Sequence, residues 1–175
     1  MRLAEEPVVT AAILVLALVT LQRLGELVLA RRNTRRLLSR GGVEVAPEHY
    51  GLIVVLHAAW LAGLWLLAWS QPVDPTWLSV FILLQAGRLW VLASLGERWT
   101  TRIIVLPQAP LVRRGPYRLF SHPNYAVVTG EIAALPLAFG LIGYAIVFSI
   151  LNAAVLAIRI RAENAALGTV RVAPR

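Results

Sequence analysis

The sequence predicts an all-α, polytopic membrane protein of about five transmembrane helices, forming one domain over residues 1–175. The 175 residues are 58% hydrophobic and 15% charged, and the mean hydropathy of +0.70 lies outside the range of soluble globular domains. Several apolar runs approach the length of about 20 residues that crosses the hydrocarbon layer of a bilayer. Such runs are too long for barrel strands, so helices are the structure that satisfies their backbone in lipid.

The N-terminal part of the domain, residues 1–95, holds three long apolar runs. We expect the first run to remain as a membrane span, because Glu5 and Glu6 precede it and no small-residue cleavage site follows, unlike a signal peptide. The three predicted spans are 8–30, 51–70 and 76–95.

Two shorter apolar runs, 123–139 and 141–158, follow a long basic segment. We predict that they form a helical hairpin that turns near Gly140 and Gly143 and ends in a polar helical segment. The sequence contains no cysteine, which excludes disulfides, zinc–thiolate sites and Cys nucleophiles. We predict no metal site.

All 17 basic residues are arginines, and most of them cluster by segment. Five lie in 31–40, which we expect to be a loop, five lie between Arg98 and Arg118, and four follow the last apolar run at positions 159, 161, 171 and 175. Five spans would place all three clusters on one side, and the positive-inside rule predicts that this side is cytoplasmic. We interpret the arginines as orienting the chain and contacting lipid headgroups, not as binding nucleic acid.

Four charged residues fall inside predicted spans, where such residues default to a functional hypothesis. Arg23 and Glu26 lie three residues apart on the first span and can pair with each other. Arg88 and Glu131 lie within the third and fourth spans. We predict a catalytic role for these two, and the alternative is an ion pair between helices.

The segment SHPNY, 121–125, predicts the start of the fourth helix. The residue before a proline is pushed out of the α region, whereas proline itself suits a first helical turn. We therefore expect the helix to begin at Pro123, with Ser121 or His122 as its cap, and its free N–H groups to attract a carboxylate. His122 and Tyr125 would stand at its mouth, although an ordinary capped helix with an interfacial Tyr is the alternative.

A second polar group lies at the end of the last span, in NAAVLAIRIRAENAAL, 152–167. Asn152, Arg159 and Glu163 are spaced by seven and four residues, which places them on one helical face. A lone Arg–Glu pair is usually a surface pair, but the hairpin brings this one to the same end as His122. We therefore predict a pocket there.

These two segments together resemble a known family. GPYRLFSHPNY, then a helical hairpin, then RIRAENAAL is similar to the isoprenylcysteine carboxyl methyltransferase family, whose pattern is GPY, RHPxY, a membrane hairpin and RIxxEExxL. The resemblance covers about 96–167, the predicted catalytic core. It implies an S-adenosylmethionine-dependent methyltransferase that holds this cofactor at the cytoplasmic face of the membrane.

The predicted site follows from the motifs and the resemblance together. The cofactor-binding residues would be His122, Pro123, Tyr125, Asn152, Arg159 and Glu163; the substrate-binding residues Tyr117, Arg118 and Ser121; and the catalytic residues Arg88, Glu131 and Arg159.

Two positions depart from the family pattern: Ser121 replaces the Arg of RHPxY, and Asn164 replaces the second Glu of the EE pair. The missing Arg is the expected partner of a prenylcysteine carboxylate, and a desolvated carboxylate without a partner is costly. The resemblance to bacterial members that act beside type III polyketide synthases therefore favours a long-chain alkylpyrone or alkylresorcinol hydroxyl. A hydroxypyrone can arrive as an enolate and needs no strong base.

Other functions remain open from the sequence. The alternatives are the carboxyl methyltransferase of prenylated cysteine, a phospholipid N-methyltransferase, a steroid-reductase-like NADPH enzyme and a non-catalytic membrane scaffold. The sequence has no glycine-rich nucleotide-binding turn, which argues against the usual soluble methyltransferase fold.

Overall fold

The computed structural model describes residues 2–107 and 109–172, with the side chains of 7–107 and 109–165. Over this part of the chain the protein is nearly all helix, as predicted, with five α-helices and one two-stranded antiparallel sheet. In chain order the elements are α1 (Arg2–Ser39), β1 (Val43–Glu44), α2 (Tyr50–Leu67), α3 (Pro75–Leu95), β2 (Ile104–Val105), α4 (Pro123–Ala138) and α5 (Ile142–Val172).

Residues 31–39 of the basic segment belong to α1, so the loop expected there was wrong. Arg and Leu are good helix formers, and no Gly or Pro interrupts α1 between the first apolar run and Gly41. Gly41 ends the helix with a φ of 83°, and the N–H of Gly42 bonds to the carbonyl of Leu37 at 2.8 Å. A left-handed glycine followed by such a back-bond is the usual helix terminus.

The C-terminal hairpin turns where the sequence predicted, at Gly140, which has a φ of 70°. α5 then continues without a break through Gly143 and the polar end as far as Val172. The side chains of Arg171 and Arg175, which contribute to the third basic cluster, lie outside the described residues.

Four of the described helices, all except α4, are long and apolar enough to cross a membrane. Their outward faces carry large apolar side chains, among them Leu66 and Leu83, which are 77% and 71% exposed. α4 has 16 residues and spans about 24 Å. It still reaches the far end of the bundle, because the N–H of Asp74 in the α2–α3 link donates to the carbonyl of Ala138 at 2.7 Å. α4 is therefore an inner helix that packs mainly on α3 and α5 in an integral membrane protein.

A tryptophan of α2 satisfies the backbone of α4 at its internal proline. Pro136 has no N–H to donate to the carbonyl of Ile132, and the indole N–H of Trp60 donates to that carbonyl at 3.2 Å. Trp60 and Ile132 are both 1% exposed, and they belong to a buried cluster that includes Leu16 and Leu135. The apolar core therefore joins α1, α2 and α4.

Ion pairs and the small sheet bind the end of α1 to the segment that follows α3. The Glu97 carboxylate accepts from Arg36 at 2.8 Å and from Arg40 at 2.9 Å. Val43 of β1 pairs with Val105 of β2. The first two basic clusters therefore lie at the same end of the bundle.

Candidate functional site

The GPY turn sits directly on the last turn of α3. Gly115 has a φ of 57°, and a Cβ at this position would collide with the side chains of Ser94 and Trp90. Arg114 Nε donates to the carbonyl of Ser94 at 2.6 Å, which holds the turn in place. Glycine is therefore required here on both conformational and steric grounds, and the turn delivers Tyr117 to the cavity described below.

α4 begins at Pro123, as predicted, with His122 at the N-cap position. The expected cap is not formed, because no side chain accepts a bond from the first turn. The imidazole of His122 instead stacks on the ring of Tyr125, with ring centroids 5.2 Å apart and an interplanar angle of 16°. The two aromatic residues of the motif therefore form one aromatic stack at the helix mouth.

Tyr125, Arg159 and Glu163 form the polar centre of the site. The Tyr125 hydroxyl donates to Glu163 and accepts from Arg159 Nε at 2.9 Å. His122 Nδ1 lies 3.9 Å from Glu163 Oε2. Arg159 is only 9% exposed. The start of α4 and the end of α5 thus meet through side chains that the two motifs supply.

These residues line a cavity of about 670 Å³ between the helix ends and the loop 96–122. Six of the predicted site residues contribute to its wall, whereas three others, Arg118, Pro123 and Asn152, are not among the described residues that line it. The six are Tyr117, Ser121, His122, Tyr125, Arg159 and Glu163.

Asn152 lies deeper in the bundle than the cavity. It is seven residues from Arg159, about 10 Å along α5, and is 1% exposed. Its Nδ2 lies 3.5 Å from the hydroxyl of Thr129 on α4. Its position favours a packing contact between α4 and α5.

Arg88 and Glu131 form a buried ion pair, the alternative that the sequence left open. Glu131 is 1% exposed; it accepts from Arg88 Nε at 2.7 Å, from a second Arg88 nitrogen and from Arg23 at 2.8 Å. Gln85 adds a bond of 2.9 Å to the same carboxylate. Glu26 accepts from Arg23 at 3.0 Å and from Arg88 at 3.3 Å. Two positive and two negative charges therefore compensate one another across α1, α3 and α4.

This network lies apart from the cavity. None of its members is among the described residues that line the cavity. Glu131 follows Tyr125 by six residues on α4, which corresponds to about 9 Å along the helix axis. The geometry therefore separates the predicted catalytic pair Arg88 and Glu131 from the motif residues.

Several wall residues were not predicted. Asn124, the variable position of HPxY, has a buried Oδ1 with no hydrogen-bond partner among the described residues. Arg98, Arg102 and Arg113 also line the cavity, although the sequence suggested only an orienting role for them. No local signal identifies these arginines, because only the folding of 96–122 over the helix ends brings them to the wall.

Tyr117 is a neutral hydroxyl in the cavity wall. Burial, assisted by the negative charge of Glu163, raises the pKa of Tyr117 to about 12. The phenol therefore keeps its proton throughout the physiological pH range, where it can donate a hydrogen bond but cannot act as a base.

Comparison with known proteins gives a consistent result. Residues 77–169 match the model of the isoprenylcysteine carboxyl methyltransferase (ICMT) family. The chain is 39% identical over 160 residues to the uncharacterized protein YpbQ of Bacillus subtilis, covering 88% of this chain and 95% of that protein. It is 25% identical over 142 residues to an uncharacterized protein of Haemophilus influenzae, covering 78% and 83% of the two chains. No solved structure matches significantly. The matched region contains the whole polar wall of the cavity, and the chain belongs to the isoprenylcysteine carboxyl methyltransferase family.

Proposed function

We propose that this protein is an S-adenosylmethionine-dependent O-methyltransferase that acts on a lipophilic acceptor, a long-chain alkylpyrone or alkylresorcinol hydroxyl. The observation that carries the proposal is the wall formed by Tyr125, Arg159 and Glu163, which faces a cavity of about 670 Å³ at one end of a membrane bundle. Membership of a methyltransferase family supports the reaction type.

The wall fits the charged end of S-adenosylmethionine. Arg159 donates to the described residues only through Nε. Its two terminal nitrogens are therefore left to bind a carboxylate in the bidentate geometry that guanidinium favours. Glu163 accepts from Tyr125 through Oε2 alone, so Oε1 can accept from ribose hydroxyls or the ammonium group.

The remaining wall residues fit the rest of S-adenosylmethionine. The stacked rings of His122 and Tyr125 present an aromatic face to an adenine ring or a sulfonium cation. The buried Asn124 Oδ1, which has no partner among the described residues, suits an amino group. A cavity of about 670 Å³ lies within the range of ordinary small-molecule sites, about 300–1,000 Å³.

Methyl transfer depends mainly on how the cofactor and the acceptor are positioned. When bound, the cofactor supplies a methyl group whose bond to the sulfonium sulfur breaks as the acceptor oxygen attacks, so that the charges on oxygen and sulfur cancel. Holding the reactants in line can supply much of the acceleration. The wall residues orient the two reactants and exclude water. Tyr117, which stays protonated, can donate a hydrogen bond to the acceptor oxygen.

The acceptor assignment rests on position 121. Ser121 lines the cavity where the family pattern has Arg, so the site offers a neutral hydroxyl there. A delocalised enolate or phenolate spreads its charge over a ring and depends less on a single guanidinium than a carboxylate does.

A prenylcysteine carboxylate is the second candidate acceptor. The family match and the three loop arginines in the cavity wall, Arg98, Arg102 and Arg113, favour it. Arg102 already pairs with Glu44 and Arg98 donates to the carbonyl of Pro110, so Arg113 is the one best placed to take over the role of the guanidinium that position 121 lacks.

Binding and transfer assays test the proposal on the full chain in detergent. We expect calorimetric titration to detect S-adenosylmethionine binding, and His122→Ala and Glu163→Ala each to weaken it by about 1–3 kcal/mol, the cost of an unpaired buried polar group. Glu48→Ala is the matched control, because Glu48 is exposed and is not among the described residues of the wall.

Labelled methyl transfer to a panel of acceptors identifies the substrate. We expect transfer to alkylpyrone or alkylresorcinol, with prenylcysteine as the competing outcome and a phospholipid amine as the third. Binding of NADPH instead would indicate a reductase, and binding of neither cofactor would indicate a scaffold. Unchanged affinity in both His122→Ala and Glu163→Ala would assign these residues to helix packing.

A further inference from the structure

The small sheet attaches one part of the cavity wall to the link between α1 and α2. Five consecutive residues, 102–106, line the cavity, and β2 lies within them. β1, the partner of β2 in the sheet, lies in the link 40–49 and is not among the described residues of the wall. The position of this wall segment therefore depends on a contact that the cavity itself does not provide.

The chain on either side of this wall segment is firmly held. Before it, the carbonyl of the buried Trp99 accepts from Asn33 of α1 at 2.9 Å. After it, Arg114 Nε donates to the carbonyl of Ser94, in the last turn of α3, at 2.6 Å. Residues 102–107 therefore lie between two anchors, and the sheet attaches them to the rest of the protein.

The backbone part of this attachment is small. Each strand of the sheet has two residues, and the strands pair antiparallel. Next to them, the N–H of Val45 donates to the carbonyl of Ile103 at 2.9 Å. An isolated pair of strands is at best marginally stable in water. The sheet can therefore break and re-form while the helices stay folded.

One ion pair reinforces the sheet. A terminal nitrogen of Arg102 donates to both carboxylate oxygens of Glu44, at 2.8 and 2.9 Å. The same guanidinium lies 4.5 Å from the centroid of the Tyr50 ring. The side chains of Arg102 and Glu44 are 40% and 20% exposed, and ion pairs in contact with water contribute little stability. We call the β1–β2 pairing and this ion pair together the clasp.

The residue that follows Val45 has a strained backbone. Ala46 has a φ of 50° and a ψ of 53°, and it is the one non-glycine residue with a positive φ in the part of the chain that the structure describes. This left-handed conformation is unfavourable for a residue with a Cβ, and such strain persists where surrounding contacts impose it. Breaking the clasp therefore allows Ala46 to relax, which offsets part of the free-energy cost of opening.

We propose that residues 102–107 are a lid over the cavity and that the clasp keeps this lid closed. S-adenosylmethionine enters, and its demethylated product leaves, when the clasp breaks. This inference rests on the proposed function, since it takes that cofactor as the occupant. The cofactor carries charged groups and has to arrive from water, because a charge enters hydrocarbon only at a high cost. The outward faces of the helices carry large apolar side chains, which leaves the basic end of the bundle as the way in.

An engineered disulfide across the clasp tests the proposal on the full chain in detergent. Val43 and Val105 are directly opposed in the sheet. Opposed residues of antiparallel strands have Cα atoms about 4.5–5.5 Å apart, a distance that a disulfide can bridge. The natural chain has no cysteine, so Val43→Cys and Val105→Cys, made together, introduce the only two thiols.

We expect oxidation of this double variant to slow both the association and the dissociation of labelled S-adenosylmethionine by at least about tenfold, because exchange then lacks the opening step. Reduction of the same protein is the matched control and should restore fast exchange. Equal exchange rates in the oxidised and reduced forms would overturn the proposal.

Weakening the clasp should have the opposite effect. Glu44→Gln removes the ion pair with Arg102, and Glu44 is not among the described residues that line the cavity. We expect the cofactor to dissociate about two- to fivefold faster, the factor that a partly exposed ion pair supplies. The control Glu48→Gln removes the same charge from the same link, at a side chain that is 67% exposed, and should leave the rate unchanged. An equal change in both variants would contradict the role of the clasp.

Hydrogen–deuterium exchange of the protein without cofactor separates the lid from the proposed function. We expect the amides of 102–107 to exchange much faster than those in the middle of α3 and α4, and faster still in Glu44→Gln but not in Glu48→Gln. If the chain shows this pattern but does not bind S-adenosylmethionine, the proposed function fails and the lid stands. If the chain binds the cofactor and the disulfide leaves the exchange rates of the cofactor unchanged, only the lid is wrong.

Discussion

Gly41 and Gly115 adopt the same left-handed backbone conformation in different surroundings. Their φ angles are 83° and 57°. A Cβ on Gly41 would meet nothing within 4 Å, whereas a Cβ on Gly115 would meet the side chains of Ser94 and Trp90. A comparison of the two glycines therefore separates the free-energy cost of a left-handed backbone from the cost of a steric clash.

Alanine at each glycine should reveal this difference. We expect Gly41→Ala to cost about 1–2 kcal/mol of stability, the usual penalty for a left-handed L-residue. Gly115→Ala should cost a further 1–3 kcal/mol or so from overpacking and should displace Tyr117 from the cavity. Thermal unfolding in detergent measures the loss of stability in both variants. S-adenosylmethionine calorimetry measures the effect of displacing Tyr117. Equal losses in both variants would mean that the GPY turn is not tightly seated on α3.

The helices α1, α3 and α4 are joined by the charged network as well as by apolar packing. The network contains two arginines and two glutamates, and each of them has a partner of opposite charge. Removing one member of a buried pair leaves an uncompensated charge, which typically costs about 3–5 kcal/mol. Removing one charge of each sign restores neutrality.

A double-mutant cycle therefore distinguishes a structural network from a catalytic one. We expect Glu131→Gln and Arg88→Gln each to lower the unfolding temperature strongly, and the double variant to recover more than half of the loss. If Arg88 and Glu131 only hold the helices together, the double variant should also transfer methyl groups at close to the wild-type rate. A well-folded double variant that binds the cofactor but does not transfer would instead support the catalytic role predicted from the sequence.

At the level of the whole bundle, the described members of the three basic clusters share one end. Glu97 ties the arginines of α1 to the segment after α3, and that segment lines the same cavity as Arg159 of α5. The link between α2 and α3 lies at the other end, beside the last turn of α4. We propose that the basic end faces the cytoplasm, because arginine-rich ends are retained there.

Labelling of single cysteines tests this orientation, and the natural absence of cysteine makes the background clean. We expect an impermeant maleimide to reach Pro72→Cys in intact cells, and Arg40→Cys and Leu119→Cys only in inverted vesicles. Labelling of Arg40→Cys and Leu119→Cys from opposite faces would contradict the shared end. Labelling of both from outside would agree with a shared end but would show that this end faces away from the cytoplasm.

The helices, their order and the motif residues at the helix mouth were predictable because the signals are local. Apolar run length predicts spans, Pro123 predicts where α4 begins, and a spacing of four residues places Arg159 and Glu163 on one face. The length of α1 was missed because charge was taken as a sign of a loop, although arginine is a good helix former.

Cavity formation and the pairing of Arg88 with Glu131 depend on contacts between residues that are distant in the chain. Arg88 and Glu131 lie 43 positions apart, and their spacing says nothing about which carboxylate meets which guanidinium. The loop arginines reach the cavity wall only because Gly115 lets the chain pack against α3 and β2 pairs with β1. Local sequence determines where helices begin and which face is polar, whereas desolvation and the pairing of buried charges are settled only when separate helices come together.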